Sequence, residues 1–213
     1  MSTGVASRPA TSAALVVATT TAALMLALSP GSRLGLWAGT SVAGAVGLGA
    51  AMWHALPGLA ELLRPTLRSA GLGVLGGAVM ALLTHLLYPL AVAMIPDVAD
   101  QALVLYHRLD SPPGRVAAIP IVLLVVMAEE LVWRGIAYAQ LRRHLGRPAA
   151  VAVATLIYAV PQLASGTWLL PALALTCGAV WTTQRAVSGN LVVPLLTHFT
   201  WNLLVMVAFP LTV

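Results

Sequence analysis

Residues Val116 to Leu141 read VAAIPIVLLVVMAEELVWRGIAYAQL. A helix of roughly 20 apolar residues, at about 1.5 Å each, spans the hydrocarbon core of a bilayer, so this run is long enough to cross one. Near its centre stand Glu129 and Glu130, with Arg134 one helical turn later. The chain has only six acidic residues, and two of them lie side by side at bilayer depth. An acid or Arg at the centre of a membrane helix costs about 2.5 to 3.5 kcal/mol on insertion scales, so the unpaired trio would cost about 7 to 10. Each flanking Ile, Val or Leu returns only about 0.3 to 0.6 kcal/mol. The helix inserts if these three side chains face protein rather than lipid, and ionisable residues placed there mark a functional site.

The rest of the chain agrees with a membrane setting. Of its 213 residues 60% are hydrophobic and 8% charged, and the mean hydropathy is +0.93. A soluble domain with so large an apolar share would lack the polar residues to cover it. All eleven basic residues are Arg, which takes the pI to about 10.4. All but Arg134 sit at the ends of apolar runs, a topology signal, and they form no basic face or aromatic platform for nucleic acid. Cys177 is the single cysteine, which excludes an intrachain disulfide.

Seven apolar segments emerge, at about 10–29, 34–56, 70–95, 116–141, 149–164, 168–184 and 190–212, with Gly and Pro punctuating their ends. The expected fold is therefore an all-α, polytopic membrane bundle of about seven transmembrane helices, residues 1–213 forming one integral membrane domain. With the N-terminus in the cytoplasm, that side holds Arg8, Arg64, Arg68, Arg142, Arg143, Arg147 and Arg185, and the other holds Arg33, Arg108 and Arg115. This asymmetry sets N-inside, C-outside. The loop from Pro96 to Arg115 is then external, with part of it expected as an interfacial helix. The first segment is read as a retained membrane helix, because its apolar run is long for a signal peptide and Pro30 would directly follow the cleavage site. Gly35 with Gly39, and Gly73 with Gly77, have the spacing that lets membrane helices approach closely. The literal GxGxxG at Gly71, Gly73 and Gly76 lies in an apolar run with no preceding strand and is accidental.

Glu130 and Arg134 are four apart and share a helix face, so they can pair. Glu129 is turned about 100° from Glu130 and is free of that partner. A division of labour follows, in which Glu130 and Arg134 form a structural ion pair and Glu129 serves as a general base towards water. In the last segment His198 and Asn202, also four apart, can donate hydrogen bonds to a developing oxyanion. Counted from the cytoplasmic helix ends, Glu129 lies about 18 Å deep, His198 about 12 Å and Asn202 about 18 Å, so the groups can meet.

Glu129-Glu130-Leu131-Val132-Trp133-Arg134, followed by Gly135, resembles the EExxxR motif of the CaaX-protease and bacteriocin-processing (CPBP) family of glutamic intramembrane proteases. His198-Phe199-Thr200-Trp201-Asn202 resembles that family's HxxxN motif in a late helix. The likeness covers a catalytic core of roughly residues 115–209. It implies that Glu129 activates water, that Glu130 and Arg134 organise the site, and that His198 and Asn202 stabilise the oxyanion. It also implies an endopeptidase that cleaves a membrane-anchored protein or peptide near its C-terminal or juxtamembrane part. Relatives act on prenylated tails, bacteriocin-type peptides or C-terminal sorting helices, the last being the myxosortase-like role. The Ala- and Arg-rich, Lys-free composition suggests a GC-rich bacterial genome and an inner-membrane location, where prenylated tails are an unfavoured substrate.

The family's middle FxxxH motif is altered here. Its counterpart is Tyr158-Ala159-Val160-Pro161-Gln162, with Tyr for Phe and Gln for His. A Gln amide can hold a water but cannot take its proton as imidazole does. Either Glu129 suffices as base with Gln162 orienting the water, or the chain is a non-catalytic membrane partner such as an immunity protein. A small transporter or proton relay is a third reading, although the internal repeats usual in transporters are missing. His85, inside the third segment, is a possible accessory group, as is Tyr158. No cofactor is expected. A zinc alternative would draw on Glu129, His198 and His85, without any local metal motif such as HExxH.

Overall fold

The computed structural model describes residues 10–54 and 58–211; Arg8 and the extreme ends of the second and last expected segments lie outside the described residues. The described residues form helices and no strands. In chain order these are α1 (Ala10–Leu28), α2 (Gly35–His54), the short α3 (Leu59–Leu62), α4 (Leu67–Met94) and α5 (Asp97–Leu109). Next, α6 (Ile119–Glu129) runs without a break through a π-helical segment (Glu130–Ala137) into α7 (Tyr138–Leu141). Then come α8 (Arg147–Ala159) with a 3-10 turn (Val160–Ser165), α9 (Leu169–Ser188), and α10 (Val192–Asn202) with a π-helical end (Leu203–Ala208).

Long helical rods stand at all seven expected places. Four of them, Ala10–Leu28, Gly35–His54, Leu67–Met94 and Arg147–Ser165, are long and apolar enough to cross a membrane by length and composition, and Val192–Ala208 is a shorter apolar helix. The other two rods have charged or polar residues within their apolar runs. The rod from α6 to α7 carries Glu129, Glu130 and Arg134, and α9 ends in Thr182, Thr183, Gln184 and Arg185. The chain is an all-α integral membrane bundle.

Small residues set the helix spacing. A Cβ on Gly39 would lie 3.2 Å from Ala27, and one on Gly47 would lie 3.1 Å from Thr20 and 3.4 Å from Ala128, so α2 is wedged between α1 and α6. On α4, Cβ atoms at Gly73, Gly76 and Gly77 would come within 2.6 Å of Leu196, 2.8 Å of Thr197 and 2.5 Å of Thr200 on α10. The expected Gly73–Gly77 contact is therefore real, and Thr197 Oγ1 donates to Gly73 O at 3.0 Å across it. Gly35 differs from expectation: it faces open space and supplies a left-handed φ of 70° where α2 begins. His54 is buried against Ser12, with Oγ and Nδ1 3.0 Å apart.

Connections gather at two ends of the bundle. At one, Leu191 N–H donates to Leu62 O at 2.8 Å. At the other, α5 lies across the helix ends: Arg108 donates to Leu28 O (2.8 Å) and Ser165 O (3.2 Å), and the Trp37 indole donates to Leu109 O and Ser111 O. Such a guanidinium satisfies carbonyls that helix C-termini leave open. This is the helix expected within the 96–115 loop; it buries Val98, Ala102 and Leu109 and leaves Leu103 and Val104 exposed. The site is held between these two ends, where the π-helical segment meets α8, α9 and α10.

Candidate active site within the bundle

The Glu-Glu-x-x-x-Arg stretch falls where α6 passes into the π-helix, so Glu129 ends the α-helical part and Glu130 opens the wider turn. π-helical turns inside α-helices occur often at functional sites, because they turn side chains away from the α-helical register. Every residue from Ala128 to Tyr138 is buried. The trio therefore faces protein, as the insertion cost requires.

Glu130 and Arg134, both fully inaccessible, pair through Nη1 and Oε1 at 3.1 Å. The same Oε1 lies 2.9 Å from His198 Nδ1, so cation and imidazole converge on one carboxylate oxygen. Arg134 also donates from Nη2 to Gly178 O at 3.4 Å, and its guanidinium lies 4.2 Å over the Tyr158 ring and 5.3 Å from that of Trp181. A guanidinium over aromatic faces gains cation–π attraction, which is larger where water is excluded. Removing either partner would strand the other charge in a low-dielectric interior.

Glu129 makes no bond to Arg134, as the helical rotation predicts. Its Oε2 accepts from the Tyr158 hydroxyl at 3.4 Å and stands 3.9 Å from His198 Nε2, beyond direct hydrogen bonding. His198 thus lies between the two glutamates, one ring nitrogen towards each. Paired with Arg134, Glu130 is an acceptor, so Nδ1 carries the hydrogen of that contact. In a neutral ring Nε2 then holds the lone pair, and it donates to an oxyanion only when the ring is an imidazolium. The ring orientation is fixed from its face as well, since Trp181 stacks on it at 3.6 Å between centroids and 17° between planes.

Aromatic rings wall this cluster. Trp133 and Tyr158 meet edge to face at 6.1 Å, Tyr158 and Trp181 at 6.2 Å, and Trp181 and Trp201 at 6.0 Å. Gly178 makes room for them: a Cβ there would lie 2.7 Å from Tyr158 Cδ1. Neither Trp181 nor Gly178 carries a sequence signal, because each acts through shape and no spacing marks it.

Other expected site residues lie apart from the central contacts. Gln162 is buried, yet no hydrogen bond joins it to Glu129 or His198 among the described residues. It lies in the 3-10 turn that follows α8. Asn202 is half-buried at the end of α10, one turn beyond His198. His85 is directed elsewhere, with Nδ1 2.8 Å from Ala81 O and Nε2 2.7 Å from Phe209 O. Among the described residues, no three His, Cys, Asp or Glu side chains are grouped to hold a metal ion, and the set of Glu129, His198 and His85 does not converge.

Comparison with known proteins finds one family likeness, over the part of the chain that carries these residues. Residues 112–204 match the family model described as type II CAAX prenyl endopeptidase Rce1-like. The match contains the whole Glu-Glu-x-x-x-Arg stretch, Tyr158, Gln162, His198 and Asn202. No curated protein and no solved structure matches the chain.

Proposed function

We propose that this chain is an intramembrane endopeptidase of the glutamic type, a reading supported by the match of residues 112–204 to the Rce1-like family model. Its substrate is a membrane-anchored protein or peptide, cut near its C-terminal or juxtamembrane part. The observation that carries this reading is the separation of the two glutamates: Glu130 is bound by Arg134 and His198, whereas the contacts of Glu129 among the described residues are the Tyr158 phenol and the far nitrogen of His198.

In the reaction Glu129 takes a proton from a water molecule whose oxygen forms a bond to the peptide carbonyl carbon. The carbonyl π pair moves onto its oxygen. That oxyanion is met by the Asn202 carboxamide and by His198 when Nε2 bears a proton, with Nδ1 held on Glu130. Collapse of the tetrahedral species breaks the C–N bond, and the proton held by Glu129 passes to the leaving amine. Glu130 and Arg134 hold His198 in place, and the aromatic wall excludes bulk water, which strengthens each of these contacts. No cofactor enters this scheme. The bundle sits in a bacterial inner membrane with the N-terminal end of α1 towards the cytoplasm, a reading supported by the arginine distribution.

The test is cleavage of a candidate membrane-anchored substrate co-expressed with wild type or with Glu129→Gln. Cleavage by wild type and none by the variant supports the proposal. Equal cleavage by both removes Glu129 as base, and no cleavage by wild type favours the non-catalytic membrane partner.

A further inference from the structure

Tyr158 has no role in the reaction as written above, yet its hydroxyl is the one hydrogen-bond donor to Glu129 among the described residues. We propose that the Tyr158 hydroxyl is a positioning group for the general base: it holds Oε2 of Glu129 and leaves Oε1 to receive the water. This inference rests on the protease reading and deepens it.

The geometry favours this assignment for three reasons. First, the ring cannot swing away. It is held edge to face by Trp133 and Trp181, covered by the Arg134 guanidinium at 4.2 Å, and backed by Gly178 with no room for a Cβ. Second, the residues that give the ring its place also belong to the ion-pair network, so the hydroxyl and the carboxylate are positioned by one rigid unit. Third, neither other candidate does this work. Gln162 makes no hydrogen bond to Glu129 among the described residues, and His198 stays 3.9 Å from Oε2 because its Nδ1 is anchored on Glu130. A carboxylate with one oxygen fixed has a single orientation for its second oxygen, and such preorganisation limits the reorganisation needed when a water is activated.

The deciding variant is Tyr158→Phe, which keeps the ring, its edge contacts and the cation–π contact and removes one oxygen. With a purified, detergent-solubilised full chain, kcat is expected to fall about 10- to 100-fold, the range for losing a hydrogen bond to a charged group, with KM and melting temperature unchanged. A purely structural role would lower the melting temperature and leave kcat per folded molecule intact, which would overturn the proposal. A second measurement does not depend on turnover: the infrared carboxyl band lost in Glu129→Gln is expected to shift in Tyr158→Phe. An unshifted band overturns the contact itself. A wild-type chain that cleaves nothing while the band shifts overturns the protease reading and the positioning role with it. A cleaving wild type whose Tyr158→Phe variant keeps full kcat overturns the positioning role alone.

Discussion

His198 Nδ1 lies 2.9 Å from Glu130 Oε1, and this single contact turns the opposite ring nitrogen towards Glu129 Oε2, 3.9 Å away. The paired carboxylates are therefore bridged by an imidazole and do not share one partner. The arrangement explains why two adjacent acids can occupy the centre of a membrane helix. One is neutralised by Arg134, and the other is separated from it by the π-helical turn and given its own contacts.

The Glu130–Arg134 pair should dominate stability. Arg134→Leu strands Glu130 in the interior, and breaking a buried pair in this way costs about 3 to 5 kcal/mol. The loss should appear as reduced yield and melting temperature in detergent, and a variant that melts with wild type would refute the pairing.

Gly77 should be intolerant of any larger side chain. A Cβ there meets Thr200 Cβ at 2.5 Å and Thr197 O at 2.7 Å, both on the helix that carries His198. Gly77→Val should force α4 from α10 and cost at least the roughly 1 to 3 kcal/mol typical of overpacking. Gly71, which faces open space on the same helix, is the control: Gly71→Val should leave the melting temperature within a degree or two.

Asn202→Ala should separate oxyanion binding from base catalysis. Loss of one oxyanion donor typically lowers rate by about 100- to 1,000-fold, so slow cleavage should persist where Glu129→Gln shows none. Indistinguishable residual rates for the two variants would contradict the division of roles.

Membrane orientation has its own test. Reporter fusions after Arg68, Arg147 and Arg185 should report the cytoplasm, and one within the α5 region should report the outside. Two of the three arginines assigned to the outer end, Arg108 and Arg115, are engaged with helix carbonyls and with Asp110. An external signal after Arg147 would invert the scheme.

The amino-acid order alone determined the membrane class, the seven helical rods and the Glu130–Arg134 pair, because hydropathy runs and i, i+4 spacing are local properties of a helix. It also marked Glu129, His198 and Asn202 as polar groups too costly to face lipid. What spacing could not contain was decided by tertiary packing. The 3-10 turn at Val160–Ser165, which holds Gln162, is not marked by the i, i+4 spacing from Tyr158. A place inside a membrane segment did not make His85 a partner of Glu129, because its imidazole is turned to the carbonyls of Ala81 and Phe209. Trp181 reaches His198, and Gly178 admits the Tyr158 ring, only where α8, α9 and α10 meet. Depth and periodicity place a residue along and around its own helix; which neighbour it touches depends on how helices distant in sequence rotate and pack against one another.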